Sequence, residues 1–354
     1  MSMTMEQMME LAVSQQASDI HIVVGSPPML RVHGDLIPIQ GEAIVDGQRS
    51  QELVFSILSQ ELKDQLLVNK EVDFSYQFKD QGRFRVNTYY VKETIAGSFR
   101  LIPTKIKTIE ELKLPSSFHQ FSTLKQGFVL VTGPTGQGKS STLAAIIEEI
   151  NQTRAEHILT IEDPIEFIYA PVKSLISQRE LHADTHSWEV ALKSALREDP
   201  NIVLVGEMRD YETIAAALTV AETGHLVFAT LHTNSASQTV DRIIDVFPEH
   251  QQGQIRMQLA NTLQAIVSQR LIKSIKGGRV AASEVMIANS AVRNIIREGK
   301  TFQLDNVILT SSEAGMISLD NSLAKLVNNG EIAYEEGLEL CIWPDQFNRL
   351  IKTI

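Results

Sequence analysis

The eight residues Gly133-Pro134-Thr135-Gly136-Gln137-Gly138-Lys139-Ser140 restrict the fold more than any other stretch of this chain, because they match the phosphate-binding pattern G-x-x-x-x-G-K-[ST]. Such a loop works between a buried strand and the start of a helix, and both flanks are present. Phe128-Val129-Leu130-Val131 is a short apolar run of strand formers, and Leu143, Ile146, Ile147 and Ile150 recur at helical spacing after the loop. The glycines let backbone N–H groups turn inward around phosphate oxygens, and the helix N-terminus adds partial positive charge at the same point. Lys139 then serves the terminal phosphates of ATP and the Ser140 hydroxyl ligates Mg²⁺, with Ser141 next to it in the first helical turn.

With 354 residues the chain has room for two domains. Lys and Arg number 32 against 43 Asp and Glu, a net charge of −11 that opposes non-specific attachment to a nucleic-acid backbone. No apolar run approaches the roughly 18 residues of a membrane span, so no direct membrane insertion is expected. Met1 to Ala17 holds Glu6 and Glu10 but no Lys or Arg, which is not the pattern of a secretory signal, and a cytoplasmic location is the expectation. Cys341 is the single cysteine, so an internal disulfide and a four-cysteine zinc site are both excluded.

Taken in order, Met5, Met8, Met9, Ala12 and Val13 predict an opening amphipathic helix. Ile20 to Val24 and Leu30 to His33 predict strands ended by turns, the second at a Gly34-Asp35 hairpin. The leucines and isoleucine of 51–68 predict one helix, and 73–78, 82–90 and 95–101 predict three alternating strands. This is an α+β domain over 1–102. A lysine- and proline-containing stretch over 103–116 reads as a linker, with a turn of helix at 109–112. The region 117–354 reads as an α/β domain, because apolar strand candidates alternate with helices. From residue 254 the pattern reads as helix, including a stripe of Leu259, Leu263, Ile266 and Val267, interrupted by a short strand at 280–286; a helical C-terminal part follows from about 287.

The strongest strand candidates end in polar residues that packing does not demand. Ile158 to Ile161 runs into Glu162-Asp163-Pro164, Ile202 to Val205 into Gly206-Glu207, and Leu226 to Leu231 into His232-Thr233-Asn234. In a parallel sheet the C-terminal strand ends share one edge, where ligands bind, and the phosphate loop lies on that edge too.

These motifs in this order resemble the secretion ATPase superfamily, and within it the PilT-type retraction ATPases of type IV pili. The resemblance covers nearly the whole chain. It is carried by Ala17-Ser18-Asp19-Ile20-His21, by the phosphate loop, and by the Asp box Thr160-Ile161-Glu162-Asp163-Pro164-Ile165-Glu166. The Walker B segment from Asp199 to Asp210 and the His box from Thr223 to Thr233 complete it. Ala291-Val292-Arg293-Asn294-Ile295-Ile296-Arg297-Glu298 resembles the AIRNLIRE segment of the retraction type; taken alone it is an amphipathic surface helix with two solvated arginines.

The resemblance implies a PAS-like N-terminal α+β domain followed by a RecA-like P-loop ATPase domain with a helical C-terminal part. It also implies a homo-hexamer that holds ATP between domains and works on an inner-membrane platform protein, peripherally at the membrane. Glu207 is the expected carboxylate for the attacking water, with Glu166 a further candidate catalytic carboxylate. His232 is the expected phosphate sensor, and Arg85 and Arg100 the expected guanidiniums for the charge of the transferring phosphoryl group; Arg83 shares Arg85's strand face. Glu162 and Asp163 are candidates for the outer coordination of Mg²⁺. Competing readings are an accessory PilU-like motor, a secretion or pilus-assembly ATPase, a nucleotide-regulated adaptor that does not hydrolyse ATP, and a nucleic-acid motor.

Overall fold

The computed structural model describes residues 2–32, 34–79, 82–102 and 105–351. His33 at the expected strand end, Pro103 at the expected start of the linker, and the last three residues of the expected ATPase domain lie outside the described residues. The described chain divides into two compact units: Met1–Lys105 with Glu166–Ile168, and Ile106–Ile165 with Tyr169–Ile354.

In the first unit α1 (Met5–Ser14) starts at a capping box. The Thr4 hydroxyl accepts from the Gln7 N–H while the Gln7 side chain accepts from the Thr4 N–H, and this satisfies two orphan donors of the first turn. Strands β1 (Asp19–Ile22), β2 (Met29–Val32) and β3 (Asp35–Pro38) follow, then α2 (Gly47–Phe55), α3 (Gln60–Asn69), β4 (Glu71–Phe78), β5 (Gly82–Val91) and β6 (Thr94–Ile102). They form one antiparallel sheet in the order β3-β2-β1-β6-β5-β4. Phe84, Val86 and Phe99 fill the core with Met8, Ile20, Leu53 and Val54, while Arg83 and Arg85, alternating with the buried residues of β5, point to the opposite face. The helix expected over 51–68 is two helices. The Ser59 hydroxyl accepts from the Leu62 N–H and starts a second helix after the turn at Ser56 to Leu58, so a local cap overrides a continuous apolar pattern.

In the second unit, residues 106–114 form a backbone-bonded turn, with Ile109 buried and Lys113 paired to Glu331 at 2.9 Å. The remaining elements are α4 (His119–Thr123), β7 (Gly127–Thr132), α5 (Lys139–Thr153), β8 (His157–Glu162), β9 (Leu175–Glu180), α6 (Trp188–Ala195), β10 (Ile202–Val205), α7 (Tyr211–Glu222), β11 (Leu226–Leu231), α8 (Ala236–Asp245), α9 (Glu249–Thr262), β12 (Leu263–Lys273), β13 (Arg279–Ile287), α10 (Ser290–Glu298), α11 (Leu304–Thr310), α12 (Leu319–Asn328), α13 (Tyr334–Leu340) and α14 (Pro344–Leu350). The sheet order is β13-β12-β7-β11-β10-β8-β9, parallel from β12 to β9 with β13 antiparallel at one edge.

The helical stripe expected to continue through Leu263, Ile266 and Val267 is instead strand β12. Leu263, Ala265, Ile266 and Val267 are all fully buried, and a strand covered on both faces carries apolar residues at every position, which erases the period of two. Strand β13 stands where the sequence places it, and the chain beyond it is helical. No helix among the described residues is long and apolar enough to cross a membrane.

Candidate active site

The phosphate loop leaves β7 at Thr132 and enters α5 at Lys139. Its first glycine is required by close approach, because a Cβ on Gly133 would lie 2.4 Å from the Gln269 carbonyl oxygen. Gly136 has a different reason: a Cβ would meet no atom within 4 Å, but φ is +78°, where L side chains are strained. The helix N-cap, Gly138, supplies no side-chain acceptor, so none is used up at the start of α5. Lys139 is buried, and its ammonium donates to the carbonyls of Gly133 at 2.8 Å and Pro134 at 3.1 Å. A lysine held inside the loop beside a helix start without a side-chain cap is a donor set suited to a polyanion, and a triphosphate fits it. Ser140 and Ser141 are half-buried in the first turn.

The end of β11 meets this loop through His232, and the end of β10 meets His232. Glu207 follows β10 and is fixed from both sides by Thr230 of β11: the Thr230 hydroxyl donates to Gly206 O at 2.5 Å, and the Met208 N–H donates to Thr230 O at 3.1 Å. One Glu207 oxygen lies 2.8 Å from His232 Nε2 and the other accepts from Arg209 at 2.9 Å. The Lys139 ammonium stands 3.5 Å from His232 Nδ1. An ammonium facing Nδ1 and a carboxylate facing Nε2 assign the imidazole hydrogen to Nε2. Burial favours protonation of Glu207, but the hydrogen bonds from Arg209 and His232 outweigh it and hold the carboxyl below the usual range. The geometry therefore joins Lys139, His232, Glu207 and Arg209 in one line.

Gly206 occupies the place where many P-loop ATPases have Asp. A Cβ there would lie 3.3 Å from both Glu162 Cα and Ile161 O, so the convergence of β8 and β10 leaves little room for a side chain. Glu162 is buried, and one of its oxygens accepts from the Thr160 hydroxyl at 2.7 Å and from Gln178 at 3.3 Å. Asp163 is exposed, and its charge acts on Arg209. Glu166 is exposed and falls in the first unit. Among the described residues no group of three or more His, Cys, Asp or Glu side chains could hold a metal. His225 opens β11, with Nδ1 3.0 Å from both Val220 O and the Thr223 hydroxyl, and so secures the end of α7.

In the first unit Arg85 and Arg100 are direct cross-strand partners, and Asp19 stands opposite Arg100 on its other side. The buried Asp19 carboxylate holds Arg100 Nε at 2.9 Å and Arg31 Nε at 3.6 Å, while the Arg100 side chain stays 67% exposed. The Asp19 carboxyl is pushed up by burial and brought below its ordinary value by its hydrogen bonds to Arg100 and Ser18. Arg85 and Arg100 occupy directly opposed positions on β5 and β6, where two like charges destabilise a sheet.

Helix α10 is strongly one-sided, with Val292, Ile295 and Ile296 buried. Its two arginines differ. Arg293 donates to Ala260 O at 2.6 Å and Asn261 O at 3.0 Å, so it caps the C-terminal carbonyls of α9 rather than standing in solvent, whereas Arg297 is exposed.

The model of the Type II/IV secretion system protein family matches residues 1–286. The chain belongs to this family. It is 46% identical over 345 residues to the type IV pilus retraction ATPase PilT of Pseudomonas aeruginosa, covering 98% of this chain and 100% of that one. Identity to the type IV pilus ATPase PilU of the same organism is 38% over 337 residues, or 95% of this chain and 88% of PilU. A crystal structure of the pilus retraction motor PilT with bound ADP superposes with a TM-score of 0.90 at 43% identity, covering 98% of this chain and 100% of that one. The architecture is accordingly an N-terminal α+β domain followed by a RecA-like ATPase domain with a helical C-terminal part.

Within this secretion ATPase fold, sequence reasoning missed the residues that hold others in place. Arg209 stood in the quoted Walker B segment, two positions after Glu207, and Asp19 in the quoted N-terminal motif. Their partners were the information lacking. Thr230 lies in the His box, but nothing there marks it as the anchor of Gly206 and Met208, since a buried threonine in a strand is ordinary.

Proposed function

We propose that this chain hydrolyses ATP as the hexameric motor of type IV pilus retraction, removing pilins at the base of the pilus and so powering twitching. The observation that carries the reading is the line Lys139–His232–Glu207–Arg209, which ties the phosphate loop to an ionised carboxylate through a histidine of fixed tautomer. Glu207 accepts two hydrogen bonds of the roughly four its oxygens can take, which leaves it able to orient a water for attack. His232 touches both Lys139 and Glu207, so a change of charge at the terminal phosphate reaches the carboxylate through one side chain. Arg85 and Arg100 supply positive charge to the transferring phosphoryl group. Ser140 would hold Mg²⁺, with Glu162 and Asp163 in its outer surroundings, and the ion would supply charge neutralisation at the phosphates. The motor acts from the cytoplasmic side on an inner-membrane platform protein of the pilus. Identity to PilT above that to PilU favours the retraction role over an accessory one.

Phosphate release by the purified chain tests the enzyme. Turnover dependent on Mg²⁺ and abolished by Lys139→Ala is expected; turnover untouched by that change would overturn the site. Cells lacking the gene are expected to keep their pili and stop twitching. Cells without pili would instead mark an assembly ATPase.

A further inference from the structure

We infer that Gln269 is a positioning residue for the phosphate loop, forming with Gln137 a reciprocal amide clamp between the loop and strand β12; this rests on the nucleotide reading above. Strand β7 ends at Thr132, opposite Ser268, but β12 continues to Lys273 with β13 on its far side. Residues 269–271 would therefore lose their neighbour just where β7 becomes the loop. The loop replaces it with side chains. Gln137 Oε1 accepts from the Leu271 N–H at 2.5 Å, and Gln269 Nε2 donates to Gln137 O at 2.6 Å. The remaining polar atom, Gln269 Oε1, accepts from the Thr142 hydroxyl of α5 at 2.8 Å, so one buried amide holds both the loop and the helix it starts.

The glycines of the loop are shaped around this residue. A Cβ on Gly133 would strike the Gln269 backbone oxygen, and one on Gly138 would lie 3.0 Å from Gln269 Nε2. The consequence for binding follows from peptide geometry. In a trans peptide the carbonyl of residue 137 and the N–H of residue 138 lie in one plane and point in opposite directions. Drawing Gln137 O toward β12 turns the Gly138 N–H away from β12, and this sets the direction in which the loop presents that donor. The phosphate-loop pattern leaves position 137 unspecified and does not include Gln269, so the clamp is a property of this chain beyond the motif.

The test measures ADP binding by calorimetry and ATP turnover on the full chain, with melting temperature as a control. Gln137→Ala removes one arm on a half-buried loop residue and is expected to weaken ADP binding about 3–10-fold, the scale of one hydrogen bond. Gln269→Met keeps the volume, removes two bonds, and is expected to weaken it at least about 10-fold. The loss is expected to fall on ADP affinity and on KM for ATP more than on kcat. A purely structural amide would lower the melting temperature while leaving ADP affinity within about 2-fold of wild type, and that result overturns the inference. If Gln269→Met does not fold, Gln137→Ala decides by the same criterion. A wild-type chain that neither binds ADP nor releases phosphate sinks the nucleotide reading itself; a binding wild type with equally tight variants sinks only the clamp.

Discussion

Glu207 and Glu284 are both partly or wholly removed from solvent in the ATPase unit, and their carboxyls are shifted in opposite directions. Glu284 lies in β13, where one oxygen accepts from the Ala236 N–H at 2.7 Å at the start of α8. Burial pushes its carboxyl up to about 7, and the charges of Asp305 and Asp320 add to the rise. The Ala236 hydrogen bond and the charge of Arg270 oppose it without prevailing. Glu207 meets the same penalty of burial, but direct bonds from Arg209 and His232 reverse it. Enclosure alone therefore does not decide whether a carboxylate in this fold is ionised. Contact with a cation does, and only the strand-end position provides it.

The largest expected effect tests the ionised member. Glu207→Gln should lower phosphate release by about 10²–10⁴-fold while ADP binding persists, and near-normal turnover would erase the functional half of the contrast. Next comes the buried member. Because the folded-state value of Glu284 is raised from 4.5 to about 7, its contribution to stability is full below 4.5 and is lost as pH rises through 7. Glu284→Gln keeps an oxygen for Ala236 and removes the titration. Urea unfolding should then show the variant gaining about 3 kcal/mol on the wild type between pH 4 and pH 8; a constant difference would mean that burial does not set this carboxyl.

Two smaller effects extend the comparison to arginines. Arg293→Ala strips the cap from α9 and should cost about 1.5–3 kcal/mol in chemical unfolding, whereas Arg297→Ala should stay within about 0.5 kcal/mol and affect retraction in cells. Similar losses from both would return Arg293 to the solvated face that the sequence alone suggested. Smallest is Arg209→Ala. Removing this partner of Glu207 should move the acidic limb of the pH–rate profile to higher pH while turnover at neutral pH changes little, and an unmoved limb would assign the depression to His232.

What the sequence disclosed follows a physical division. The groups proposed to meet a ligand, Lys139, Ser140, Glu207 and His232, stand at the ends of apolar runs, where packing does not explain them, and residue type and place single them out. Groups that hold other groups are spread along the chain: Gln269 and Gln137 lie 132 positions apart, and nothing local marks either as a partner. The same division explains the errors in secondary structure. Strand β12 lacks a period because it is buried on both faces, and the break between α2 and α3 rests on one serine hydroxyl. Arg293 was legible as a charge on an amphipathic helix but not as a cap, because the carbonyls it binds belong to another helix.

The row across the first sheet has a kinetic meaning as well. Arg31, Asp19, Arg100 and Arg85 follow one another along one register line, three guanidiniums to one carboxylate, on a chain whose net charge is −11. Such a row is a local well for polyanions on a surface that otherwise repels them, and it steers approach before any contact forms. Capture of a polyanion by this row should then slow as ionic strength rises and the Debye length falls below about 10 Å. Salt would thus set how often this face of the first unit holds an anion.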